Sequence, residues 1–169
     1  QGQNRLVLNL KSQRVDPEDI DLVINTHLHG DHCGGNTYLD QDQKLRPTFP
    51  RATYCIQRRE LAEAMFPNER TRAVYHRKDF EPLERAGQLR ILDGDTQVTS
   101  TVRTLLTPGH TPGHQVVVIE SEGRTAIFLG DVATWPVHIE QLACVAAYDV
   151  QPLISIETCL LYTSPSPRD

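Results

Sequence analysis

Long apolar runs are missing from this 169-residue chain. No stretch approaches the roughly 20 apolar residues that cross a bilayer, so no membrane-spanning helix is expected within it. No basic segment followed by an apolar one stands at its start, although the chain opens on Gln1 rather than Met and a leader can have been lost. Positive charge is not in excess either: 17 Lys and Arg face 22 Asp and Glu, a net charge of −5. That balance removes the electrostatic footprint of a nucleic-acid binder. The basic clusters at Arg58–Arg59 and at Arg70, Arg72, Arg77 and Lys78 read as solvated faces. The four cysteines, Cys33, Cys55, Cys144 and Cys159, form no C-x-x-C pair. A zinc ribbon or thioredoxin-type site is therefore not expected, and free thiols in a reducing, cytoplasmic compartment are. What remains, 38% hydrophobic and 23% charged residues, suits a globular domain.

Local patterns sketch an α/β layered domain with a largely antiparallel or mixed sheet. Arg5–Val15 reads as a short helix, and Asp16–Asp19 as a turn or one helical turn entered through Pro17. Asp21–Asn25 is short, apolar and β-branched, the pattern of a buried strand. Thr26–Asn36 reads as a polar loop loosened by Gly30, Gly34 and Gly35. Ala52–Gln57 is expected to be a strand, and Arg58–Met65 a short amphipathic helix with Leu61, Ala62 and Met65 on one face. Phe66–Phe80 reads as a charged loop. Strands are expected at Leu89–Leu92, Gln97–Thr99 and Val102–Leu106, with a turn at Asp93-Gly94-Asp95. Gln115–Glu120 and Thr125–Leu129 form a hairpin around Ser121-Glu122-Gly123-Arg124. A helix is expected from Pro152 to Leu161. Residues 160–169 read as a non-native or disordered tail, because Pro and Ser crowd the last positions.

Chemistry concentrates in Thr26-His27-Leu28-His29-Gly30-Asp31-His32, directly after a strand. His27 and His29, two residues apart, face one way if the extended backbone continues, and Asp31 and His32 then turn with the loop. Three imidazoles and a carboxylate suit zinc, iron or a similar first-row metal rather than magnesium or calcium, which take oxygen. Neighbouring histidines would repel one another if protonated, and a shared cation explains their proximity. Two further motifs follow strands: Thr107-Pro108-Gly109-His110-Thr111-Pro112-Gly113-His114, and Phe128-Leu129-Gly130-Asp131.

The segment from Thr26 through Cys33-Gly34-Gly35 closely resembles the signature loop of the metallo-β-lactamase superfamily, and the resemblance runs from about Ile20 to Gln151. It implies the αβ/βα sandwich of that fold, incomplete at both ends here, with residues 1–159 as a partial domain. By resemblance His110 is a metal ligand and Asp131 bridges two metals. One site then comprises His27, His29 and His110, and the other Asp31, His32 and a later histidine, with Asp131 shared. His138 follows Asp131 too soon to be that histidine, so this ligand is expected beyond the C-terminal end. His114 is expected to be structural, because ligands need neighbours that orient them, and Cys33 to be a packed thiol.

The implied activity is hydrolysis by metal-bound hydroxide, with two zinc ions, or iron or manganese instead, and with Asp31 relaying a proton to the leaving group. Phe49-Pro50, Tyr54, Pro67–Arg70 and Asp93–Asp95 resemble the lactonase-like and organophosphate-hydrolase-like branch. An ester or lactone, such as an acyl-homoserine lactone, is the expected small-molecule substrate. No nucleic-acid or membrane partner is expected, and a homo-oligomer stays open. Competing readings are a persulfide-dioxygenase-like iron enzyme, a nuclease of the same fold and a metal-binding fragment without catalysis. Flavodiiron proteins commonly carry Glu where His29 stands, which argues against that group.

Overall fold

Residues 5–141 and 143–163 are described by the computed structural model. By contact density the chain forms two units, one from Gln1–Ile56 and Ala64–Ile91, the other from Gln57–Glu63 and Leu92–Asp169.

The first unit opens with helix α1 (Arg5–Ser12), as its apolar spacing predicts. Pro17–Asp19 makes one 3-10 turn. Asp16 caps it by accepting from the Glu18 amide at 3.1 Å, and the Asp19 carboxylate accepts from the Asp16 amide at 3.0 Å. These reciprocal bonds satisfy amides that a helix start leaves open. Strand β1 (Leu22–Ile24) is half-buried rather than fully buried. The expected loop after it contains a one-turn helix, α2 (Gly30–Cys33). Strands β2 (Thr37–Leu39) and β3 (Leu45–Pro47) pair antiparallel as a small hairpin that the sequence does not announce. Strand β4 (Thr53–Gln57) lies beside β1 in parallel, with Val23 opposite Tyr54. Helix α3 (Arg58–Met65) then carries the chain through the second unit and back. Its buried positions are Glu60 and Ala64; of the expected apolar face, Leu61 and Met65 are half-buried and Ala62 is exposed. Within Phe66–Phe80, Arg77–Asp79 forms a 3-10 turn. Helix α4 (Glu81–Arg85) follows, and strand β5 (Leu89–Leu92) joins the other side of β4.

The core of this unit is Phe49, Ala52, Tyr54 and Leu83, with Leu10, Ile20, Val23 and Leu89 packed around them. Each large side chain buried there contributes roughly 1.5–3 kcal/mol. The Tyr54 hydroxyl is not wasted in that setting. It accepts from the Phe49 amide at 3.1 Å and donates to the Asn36 carbonyl at 3.3 Å. Burial pushes its pKa up to about 12.

The second unit is built on an antiparallel sheet in the order β6 (Thr96–Gln97), β7 (Val102–Leu106), β8 (Gln115–Ser121), β9 (Arg124–Phe128). β6 stops at Gln97 rather than Thr99, because the Val98 and Thr99 amides both turn to the Val102 carbonyl. The β8–β9 hairpin is as expected. Its two turn residues, Glu122 and Gly123, have φ of 50° and 71°, the both-positive pattern of a type I′ turn. β8 is buried from Gln115 to Val118, and β9 is exposed throughout. Gly130–Ala133 makes a 3-10 turn, followed by helices α5 (Val137–Glu140) and α6 (Pro152–Thr163). Val116, Val132 and Cys159 form the core here, with Leu105, Leu129 and Ala133 against them. Of the expected tail, residues 160–163 lie in α6, and residues 164–169 fall outside the described residues. Among the described residues no helix is long and apolar enough to cross a membrane.

Candidate metal centre

The first unit gathers three of the expected ligands. β1 ends at Ile24, and the extended chain beyond it carries His27 and His29, 1% and 8% exposed. Their rings meet edge to face with centroids 4.6 Å apart, and the His27 and His32 rings are 4.2 Å apart. His32 comes near because α2 turns the chain by one helical turn, with the His32 and Cys33 amides both donating to the His29 carbonyl. The nitrogen donors of His27 and His29 lie within 4.8 Å of each other, as do those of His27 and His32. Asp31 faces outward, with 78% of its side chain exposed and its carboxylate 3.5 Å from His32 Nε2.

Neighbours fix this loop at several points. The Thr26 hydroxyl lies 3.1 Å from His27 Nδ1 and helps to orient the ring. The Tyr75 ring packs 4.9 Å from His29, and the Gly30 amide donates to the Val74 carbonyl at 2.9 Å. A Cβ at Gly30 would stand 2.6 Å from His76 Cδ2, so the His76 ring would have to shift to admit one. Asn25 and Asn36, flanking the loop, exchange reciprocal side-chain amide bonds of 3.3 and 3.1 Å while buried. Cys33 is the packed thiol expected, fully buried and donating to the Leu28 carbonyl.

The second unit brings together His110 and Asp131. His110 Nε2 lies 3.5 Å from an Asp131 carboxylate oxygen. The loop Thr107–His114 carries His110 out of β7 and returns as β8. It closes through the Thr107 amide, which donates to the His114 carbonyl at 2.8 Å. His114 is fully buried, and its two ring nitrogens serve different partners. Nε2 accepts from the Asp131 amide at 3.1 Å, so Nδ1 is the protonated nitrogen and donates to the Thr107 hydroxyl at 2.8 Å. His114 thus joins the base of the His110 loop to the backbone of Asp131, the structural part expected of it.

Two residues of this neighbourhood are not singled out by the sequence. Glu60, 1% exposed, accepts from the Thr111 hydroxyl at 2.5 Å. Asp149, also buried, lies 3.1 Å from His110 Nδ1. Gln57 ties the turn at Gly94 to β8: it exchanges two hydrogen bonds with the Gly94 backbone and donates to the Gln115 side chain at 2.9 Å.

The donor set fits a first-row transition metal. Close imidazoles beside carboxylates, with His27, His29 and His110 buried and His32 exposed, suit a cation of borderline softness. Crowded as they are, the same rings would oppose one another if protonated, and a coordinated metal requires them neutral.

Comparison with known proteins agrees with this chemistry. An N-acyl homoserine lactonase of Bacillus cereus is 34% identical over 127 residues, which are 75% of this chain and 44% of that protein. The chain thus spans about half the length of the curated relatives it matches. A probable metal-dependent hydrolase from Staphylococcus aureus superposes with a TM-score of 0.80 at 29% identity, covering 90% of this chain and 53% of that one. An N-acyl homoserine lactone hydrolase, solved with the product N-hexanoyl-L-homoserine at its catalytic metal centre, superposes with a TM-score of 0.72 at 28% identity, covering 90% and 54%. The family profile of the metallo-beta-lactamase superfamily matches residues 1–137. With its α/β fold and histidine motifs accounted for, the chain belongs to the metallo-beta-lactamase superfamily.

Proposed function

We propose that this chain carries the metal-binding part of a zinc-dependent hydrolase that opens lactones of the N-acyl homoserine type. The observation that carries the reading is the cluster of His27, His29 and His32, held together in one short loop. The lactonase relatives and the hydrolase structures supply the reaction class.

In this reading His27, His29 and His110 would hold one ion, Asp31 and His32 would contribute to a second, and Asp131 would be shared. Bound there, zinc supplies Lewis acidity, polarising a carbonyl and lowering the pKa of water toward 7. The chain's own groups orient and relay. Thr26 fixes the His27 ring, Tyr75 packs on His29, and His114 anchors the Asp131 backbone. Asp31, exposed beside His32, takes a proton from the attacking water and passes it to the departing ring oxygen as the ester bond breaks. A cytoplasmic setting suits the four free cysteines, three of them buried.

The test is hydrolysis of N-hexanoyl homoserine lactone by the zinc-loaded full-length protein, followed as acid release. Turnover is expected, and His29→Ala and Asp31→Ala should abolish it. Unchanged turnover in both variants, or none in fully zinc-loaded protein, sinks the reading.

A further inference from the structure

We propose that Asp149 is the positioning residue for His110, fixing the imidazole through Nδ1 so that Nε2 is the nitrogen presented for coordination. The inference rests on reading His110 as a metal ligand, but its first test does not depend on metal.

His110 and Asp149 have side chains only 2% exposed, and His110 Nδ1 lies 3.1 Å from Asp149 Oδ1. A buried carboxylate is costly unless its oxygens are hydrogen-bonded. An ionised carboxylate only accepts, so the Nδ1–H donates to it. That bond sets the direction of the ring. Its other nitrogen, Nε2, then faces Asp131, whose carboxylate oxygen is 3.5 Å away. A carboxylate on the far nitrogen also makes a coordinating imidazole more basic, and losing such a partner typically weakens metal binding 10–100-fold.

Asp149 is held in place for this task by more than its own side chain. The Val150 amide donates to the His110 carbonyl at 3.1 Å, and the Gln151 amide to the Gly109 carbonyl at 2.8 Å. The segment is therefore stitched along the backbone of the residue it positions. Next in the chain, the Tyr148 ring stands edge-on to His110 with centroids 5.4 Å apart. Its hydroxyl lies 2.8 Å from the hydroxyl of Thr134, on the segment just after Asp131. Tyr148 and Asp149 together bracket the ring, with Asp149 at its Nδ1.

The experiment follows the His110 Nδ1–H proton by NMR in Asp149→Asn, Asp149→Ala and Tyr148→Phe, first without added metal. In the unaltered protein this proton should resonate far downfield and exchange slowly. Asp149→Asn, nearly isosteric and the safer variant for folding, should move it upfield and speed its exchange. Asp149→Ala should lose it to exchange, and Tyr148→Phe should leave it unchanged. A second arm titrates zinc against a chromophoric chelator. The dissociation constant should rise about 10–100-fold in Asp149→Ala and less in Asp149→Asn. An unmoved Nδ1–H in Asp149→Asn overturns the proposal, whatever zinc does. Failure of the unaltered protein to bind zinc, with the proton behaving as stated, instead removes the metal reading and leaves the positioning contact standing.

Discussion

Gly109 precedes the ligand candidate His110 and has a φ of 142°, in the region where side chains carry strain. Replacing it with alanine adds two penalties. The backbone conformation alone costs about 1–3 kcal/mol for a residue with a Cβ. The added Cβ would also stand 2.6 Å from Ser155 Cα and 2.7 Å from its amide nitrogen on α6. Main-chain atoms cannot swing aside as a side-chain tip can, so overpacking of about 1–3 kcal/mol follows. Together Gly109→Ala should cost roughly 2–6 kcal/mol. Urea denaturation should show a lower midpoint with an unchanged slope. Ser155→Gly in the same background removes the hydroxyl but neither main-chain contact, so rescue should be small. A Gly109→Ala protein within about 0.5 kcal/mol of the parent, the range of a bland surface change, would refute the close packing of this loop on α6.

Two further outcomes concern the first unit. Asn25→Ala leaves the buried Asn36 amide without its reciprocal partner, an expected loss of about 1–3 kcal/mol. Denaturation of the Asn25→Ala/Asn36→Ala double variant should show a loss smaller than the sum of the singles, and strict additivity would contradict the paired amides. Burial raises the pKa of Asp79 above its ordinary 3.8, against the smaller opposing effects of Lys78 and His76. A raised carboxyl pKa means that ionised Asp79 opposes folding above the folded-state value, and that the penalty is gone below 3.8. Asp79→Asn should therefore stabilise the protein at neutral pH, with a gain that fades on acidification. Paired denaturation curves check this, and a gain that instead grows toward low pH would reverse the assignment.

The legible parts of this chain were those with local chemistry. Ser121-Glu122-Gly123-Arg124 declares its hairpin because two adjacent positive φ values need residues that accept them. The ligand loop was legible by composition, though not its one-turn helix, since Gly30 and Gly34 read as loop formers while the structure uses Gly30 for close approach to His76. No helix was expected at α4, although Pro82 stands near its N-terminus, where proline is favoured. The β2–β3 hairpin had no readable signal, because its three-residue strands show no sustained alternation and Tyr38 and Leu39 are both exposed. On α3, a charged residue took the inward place expected for apolar ones, because Glu60 meets Thr111 across 51 residues of sequence. Asp149 was illegible for the same reason: its partner His110 lies 39 residues away, and no local pattern marks such a contact.

The central claim, that the histidine-rich loop is a metal site, is tested most directly by X-ray absorption on zinc-loaded protein beside its His27→Ala variant. A shell of nitrogen and oxygen alone at about 2.0–2.2 Å is expected. Sulfur is excluded because Cys33, the nearest thiol in sequence, is turned to the Leu28 carbonyl. His27→Ala should lower the zinc bound. A sulfur shell near 2.3 Å, or zinc content indifferent to His27, would contradict the account.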